Sequence, residues 1–198
     1  MELVIGLVCA VLLALVVGGY GVVLYNGLVR ARNAWQNAFA QIDVQLKRRH
    51  DLVPNLVQVA KEYMKHERET LEAVVAARSS AATAQATASA APGDPASMQQ
   101  LAGAEASLGR SLGRLFALAE AYPDLKANQT MMQLSEELTS TENRIAFSRQ
   151  AYNDAVMGYN NRRSTFPAIV LANTFSFAPA AMFATEDPQE RTTPKIQF

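Results

Sequence analysis

His50, His66 and Cys9 are the only histidines and the only cysteine in this 198-residue chain, so any metal or nucleophile chemistry has to be sought among them first. His66-Glu67 begins like the zinc-protease pattern H-E-x-x-H, in which two histidines one helical turn apart hold the metal and the glutamate serves as base. Position 70 is Thr70, so the second ligand is missing. Cys9 lies inside a long uncharged run. No general base stands at a usable spacing from any nucleophile. Gly18-Gly19-Tyr20-Gly21 has the glycine content of a phosphate loop, but it belongs to the same apolar run and precedes no strand-to-helix turn. Each histidine therefore reads as a surface or helix-packing residue. The expectation is a protein that is not an enzyme and uses no cofactor and no metal.

Two polar blocks need another explanation. Gln41, Asp43, Arg48, Arg49, Asp51 and Asn55 fall in one helical stretch, and Glu142, Asn143, Arg144, Asn153 and Asn160 in another. If the two stretches pack antiparallel, acids on one oppose bases on the other and fix the register of the helices, provided each buried group finds a partner. A partner or intersubunit surface is the second reading of the same residues.

The element that orients everything else is Leu3 to Leu24, 22 residues without charge or proline. At about 1.5 Å per residue it extends about 33 Å, enough to cross a hydrocarbon core of about 30 Å. A secretory signal would need a basic n-region and a small-residue cleavage site, and only Met1 and Glu2 precede the run. Cys9 follows Val8, which is not the small residue a lipidation site calls for, so it reads as an inert thiol in the span. Arg30, Arg32, Lys47, Arg48 and Arg49 all follow the run. The positive-inside rule then places the C-terminal side in the cytoplasm and the N-terminus outside. Gly6, Ala10, Ala14 and Gly18 recur every four residues and line one face with small side chains, a candidate interface between two membrane helices.

Past the span, no stop signal appears. Leu28, Trp35, Ile42, Leu56 and Tyr63 keep a seven-residue period, and Phe39, Leu46, Val53, Ala60 and Val74 form a second row offset by four. Arg49 and Glu67 interrupt this seam and read as water-exposed interruptions, the alternative being pairing with a neighbouring helix. Pro54 predicts a kink nearby. The run SSAATAQATASAAPGDPAS has no Leu, Ile, Phe or Val, so residues 78–97 read as a low-complexity, mobile connector. Asp94-Pro95 has the form of an N-cap followed by proline at the first helical position, opening a second helix faced by Leu101, Leu108, Leu112, Leu115 and Leu118. A third helix runs from Gln129 to Phe166 behind Leu134, Leu138, Thr141, Ile145, Tyr152, Val156, Tyr159 and Phe166. The following AIVLANTFSFAPAAMF is too short to span and docks on the bundle or the bilayer surface. The fold class is therefore all-α: an anchor over residues 1–26, a bundle of three main helices over 27–183, and a disordered polar tail over 184–198.

Tyr25-Asn26, Leu28-Val29, Arg32-Asn33, AQIDVQLKRRHDLVPNLV from Ala40, YPDLKAN from Tyr122, ENRIAFSRQAYNDAV from Glu142, YN at Tyr159 and FP at Phe166 closely resemble the LemA family of bacterial membrane proteins. The likeness covers nearly the whole chain except the connector and tail, with a local departure at Thr130-Met131-Met132, where the family tends to carry an aromatic. It implies a single-pass protein with a helical domain on one side and supplies no reaction. Relatives are associated with membrane zinc metalloproteases and, in magnetosome-forming bacteria, with building internal membranes. With Lys+Arg 18 against Asp+Glu 18, nucleic acid is not an expected partner. Membrane lipid, further copies of the chain and a membrane metalloprotease are.

Overall fold

The apolar run and the heptad seam behind it form one uninterrupted α-helix, α1, from Glu2 to Tyr63 in the computed structural model, which describes residues 1–183. The tail assigned to residues 184–198 lies outside the described residues. From Leu3 to Tyr20 the helix is exposed on every side, as an uncharged apolar helix of span length must be when lipid is its solvent. From Leu28 onward one face is buried: Leu28, Trp35, Phe39, Ile42, Leu46, Val53, Leu56 and Ala60.

Helix α1 continues through Pro54, whose ring nitrogen has no proton to give to the carbonyl four residues back, that of His50. Arg78 supplies the missing donor, its Nε lying 3.0 Å from the His50 carbonyl oxygen. A second helix thus satisfies the group that the proline orphans.

That second helix is α2, Arg68–Ala90, and it corrects two sequence expectations. The seam does not continue as one helix to Val74, because the chain turns at Met64–Glu67 and reverses. The alanine-rich stretch is no connector either: Ala81, Ala84 and Ala88, one turn apart, are buried against neighbouring helices along with Gln85. Alanine has the highest helix propensity and permits close helix approach, so a stripe of methyl groups serves as the apolar face. Among the described residues, four long helices are present where three were expected.

A tight turn through Gly93, whose φ of +78° suits glycine, leads to α3, Pro95–Ala119. The expected cap is in place, with Asp94 accepting from the Ser97 amide at 2.9 Å, and those hydrogen bonds hold the Asp94 carboxyl below its ordinary range. A single turn, α4 (Pro123–Lys126), precedes α5, Gln129–Ser164, which Asn128 caps at the Met131 amide. Along α1 and α5 the contacts run in opposite order: Gly27 with Arg162, Arg49 with Glu142, Tyr63 with Asn128. Helix α6, Ala168–Thr174, then turns back against α1 and α5. Phe166, assigned above to the third helix's apolar face, lies beyond that helix's end and is exposed.

Residues 177–183 run extended along α5. Tyr152 and Tyr159, seven residues apart, donate their hydroxyls to the carbonyls of Ala181 and Ala178, at 2.6 and 2.7 Å. Asn153 and Asn160 each pair both ends of the side-chain amide with one backbone residue, Phe183 and Ala180 respectively. The two Tyr-Asn pairs thus hold this segment as a strap along α5, and its own Phe177, Ala180 and Phe183 are buried. Burial pushes the Tyr152 hydroxyl up to about 12 and raises that of Tyr159 as well.

Candidate functional site

Buried apolar side chains fall into two clusters. One, nearer the span, gathers Trp35, Ile42, Leu101, Ile145 and Tyr152, and the other gathers Val53, Leu56, Leu108, Leu115 and Leu138. Between them lies a polar layer. Arg49 points inward from α1, where its Nη1 donates to Glu142 of α5 at 2.7 Å and its Nη2 to the backbone carbonyl of Glu105 in α3 at 3.2 Å. The Glu105 carboxylate lies 3.7 Å from the same guanidinium and 2.7 Å from Nε2 of His50. Thr141, fully buried, closes its hydroxyl onto the Glu137 carbonyl.

Arg49 is therefore not a water-exposed interruption of the seam but the centre of a buried ion-pair layer. Breaking the apolar period costs desolvation of a guanidinium, and the two acids with the Glu105 carbonyl offset that cost. Its Nε stays without a partner. A carboxylate bonded to an imidazole is half of a general-base assembly, but His50 and Glu105 are shut in by three helices. The layer positions helices: sliding α1 by one turn would push Arg49 into an apolar cluster with no acid to meet it.

Of the polar residues singled out in the sequence, the structure joins Arg49 and Glu142 as opposed groups on α1 and α5. Asp43 turns instead to α2, accepting from Gln85 at 2.9 Å and from Ser89 at 2.5 Å. Asn153 is engaged with the strap. Arg48, Asp51 and Asn55 are exposed. Gln41, Asn143 and Arg144 come together along an open groove of about 580 Å³ between α1 and α5, with Gln45 and Phe147. Phe147 is 76 % exposed there, and the Gln45 Oε1 is buried without a hydrogen-bond partner. His66 is exposed, and Glu67, the seam's other charged residue, is half-buried and accepts from the Tyr122 hydroxyl at 3.1 Å; desolvation first, and then the bond to Glu67, raise the Tyr122 hydroxyl. A Cβ added at Gly6 or Gly18 would meet nothing within 4 Å, so the strip of Gly6, Ala10, Ala14 and Gly18 is an open face.

Glu105 belongs to no motif in the sequence, yet it occupies the core register of α3, between Leu101 and Leu108. An acid at an apolar-face position is the signal that could have found it.

Comparison with known proteins agrees with the blocks quoted above. The LemA family model matches residues 38–198. Magnetosome protein MamQ 2 of Paramagnetospirillum magneticum is 35% identical over 91 residues, 46% of this chain and 34% of that protein. Magnetosome protein MamQ of Magnetospirillum gryphiswaldense is 32% identical over the same share of each chain. Protein LemA of Metamycoplasma hominis is 27% identical over 162 residues, 82% of this chain and 69% of that one. The chain thus spans about a third of the length of the magnetosome proteins it matches.

Proposed function

We propose, from the premise that the chain belongs to the LemA family, that it is a non-enzymatic membrane-anchored protein that self-associates and organises or shapes the bacterial inner membrane. The observation that carries this reading is α1, in which a span-length apolar segment and the spine of the bundle are one continuous helix. Such a helix ties the orientation of the bundle to that of the span, so an ordered array of bundles imposes an ordered array of spans. The likeness to magnetosome proteins supports the same reading. The strip of Gly6, Ala10, Ala14 and Gly18 is the proposed contact between spans, since close backbone packing can drive association where lipid gives no hydrophobic reason for it. The bundle lies in the cytoplasm and the N-terminus outside, following the positive charges behind the span.

The groove between α1 and α5 favours a second reading, an adaptor for a membrane zinc metalloprotease. Its exposed Phe147 and unpartnered Gln45 oxygen are features of a docking surface. Extraction of the full-length protein in mild detergent, followed by mass measurement, separates the two. A large symmetric assembly, lost when Ala14 and Gly18 are both changed to leucine, supports the first reading. A monomer that co-purifies with a protease, and loses it on Phe147→Ser, overturns it in favour of the second.

A further inference from the structure

The end of the bundle nearest the span carries an apolar surface that the described residues leave uncovered. Helix α6 buries Ala168 and Ala172 against α1 and α5 and turns Val170, 55 % exposed, outward, with Phe166 and Phe175 exposed on either side. Its height along α1 is set by aromatic contacts. Tyr25, the residue after the uncharged run ends, meets the Phe175 ring edge-on at 5.0 Å between centroids and the Phe177 ring at 5.6 Å. The exposed apolar side chains therefore lie level with the point where the span leaves the hydrocarbon.

Among the described residues, charge at this level has one sign. Arg30 is exposed, the Arg32 guanidinium sits 5.0 Å over the Phe177 ring, Arg162 donates to the Gly27 carbonyl at 2.9 Å, and Arg163 donates to the Phe177 carbonyl. Neither residues 3–42 nor residues 155–183 contain an Asp or Glu. Asp94, from the α2–α3 turn, stands further along at the level of Trp35 and is turned to Ser97.

We propose that α6 and its flanking phenylalanines are a second membrane contact, in which Phe166, Val170 and Phe175 enter the headgroup–acyl boundary beside the span while Arg30, Arg162 and Arg163 meet the phosphates of anionic phospholipids. The bilayer is the occupant because the patch is continuous with the span's own lipid-facing surface and lies at the level of cations that anionic headgroups attract. Aromatic side chains concentrate at this depth for the same reason, an apolar body at the edge of hydrocarbon. The inference rests on reading the N-terminal part of α1 as a span, and its test separates the two.

Three forms of the full-length chain carry one environment-sensitive fluorophore each: the native protein at Cys9, Cys9→Ser with Val170→Cys, and Cys9→Ser with Phe147→Cys. Both introduced sites are exposed, so the fold tolerates them. Each is placed in nanodiscs whose lipids carry a nitroxide quencher either deep in the acyl chain or just under the headgroup. The Cys9 label is quenched by the deep nitroxide, the position 170 label by the shallow one, and the position 147 label by neither. Quenching at position 170 rises about two-fold when phosphatidylglycerol joins phosphatidylcholine, and Arg30→Gln with Arg162→Gln abolishes that rise. An unquenched Cys9 label overturns the span itself. A quenched Cys9 label with position 170 no better quenched than position 147 overturns the second contact. Shielding at position 170 that grows with protein-to-lipid ratio and ignores the nitroxide means that a second copy covers the patch, which also overturns it. A position 170 signal indifferent to phosphatidylglycerol removes the arginines from the proposal.

Discussion

Arg49 meets two carboxylates, and distance and burial disagree about which one matters. Glu142 is the closer, at 2.7 Å, but its side chain is 61 % exposed, whereas Glu105 is 3.7 Å from the guanidinium and only 7 % exposed. An ion pair open to water contributes about 0.2–1 kcal/mol, because solvent screens the attraction and competes for both groups. Removing one partner of a buried pair costs about 3–5 kcal/mol, because the remaining charge stays desolvated. Glu105→Gln keeps the shape and a hydrogen bond to His50, so the low end, about 3 kcal/mol, is expected. Glu142→Gln should cost about 1 kcal/mol or less. At about 2–4 °C per kcal/mol for a domain of this size, the midpoints fall by about 6–12 °C and at most about 4 °C respectively. Thermal unfolding of the full chain in mild detergent reads both, with Trp35, the only tryptophan and buried in the cluster nearer the span, as fluorescent reporter. Equal losses, or a larger loss for Glu142→Gln, would refute the claim that burial rather than contact distance decides the strength of this layer.

Arg78→Ala should destabilise by about 1–3 kcal/mol by leaving the His50 carbonyl unpaired, and by less in a Pro54→Ala background, where the backbone amide returns; a double-mutant cycle by thermal unfolding that gives no coupling removes the link between them. Asn153→Ala with Asn160→Ala removes the amide pairing of the strap, so amide exchange at Ala180 and Phe183 should accelerate by at least about ten-fold while the α3 core holds its protection; unchanged exchange would show the apolar side chains alone suffice. Tyr152 is neutral when protonated and its folded value is raised from 10.0 to about 12, so its contribution is complete below pH 10 and is lost as pH climbs toward 12. Stability should therefore fall with rising pH across that window, less so in Tyr152→Phe, and absorbance of tyrosinate at alkaline pH should show one late-titrating group that the variant lacks.

The long elements are legible because their signals are local. The uncharged run, the Asp94-Pro95 cap and the leucine face of α3 each declare themselves within a few turns. Helix α2 is hidden because its buried face is made of methyl groups, although Ala81, Ala84 and Ala88 already stand at helical spacing. The turn at Met64–Glu67 is hidden by the seven-residue period itself, which runs on through Val74 across a break carrying no glycine or proline. Asn153 and Asn160 read as interhelical groups because nothing local says that an extended segment will return along α5. Arg49 reads as exposed for the complementary reason: its buried acid, Glu105, is 56 residues away, and only tertiary structure brings the two together.

Continuity between span and bundle also makes α1 a lever. The part beyond the membrane, from Tyr25 to Tyr63, is about 58 Å long at about 1.5 Å per residue. A change of about 10° in the tilt of the span, well inside the range of about 0–40° that such helices adopt, sweeps the far end of the bundle through about 10 Å. Thinning or thickening of the bilayer is thereby converted into a displacement of the far end of the bundle, and a force that holds that end in place returns the same torque to the lipid.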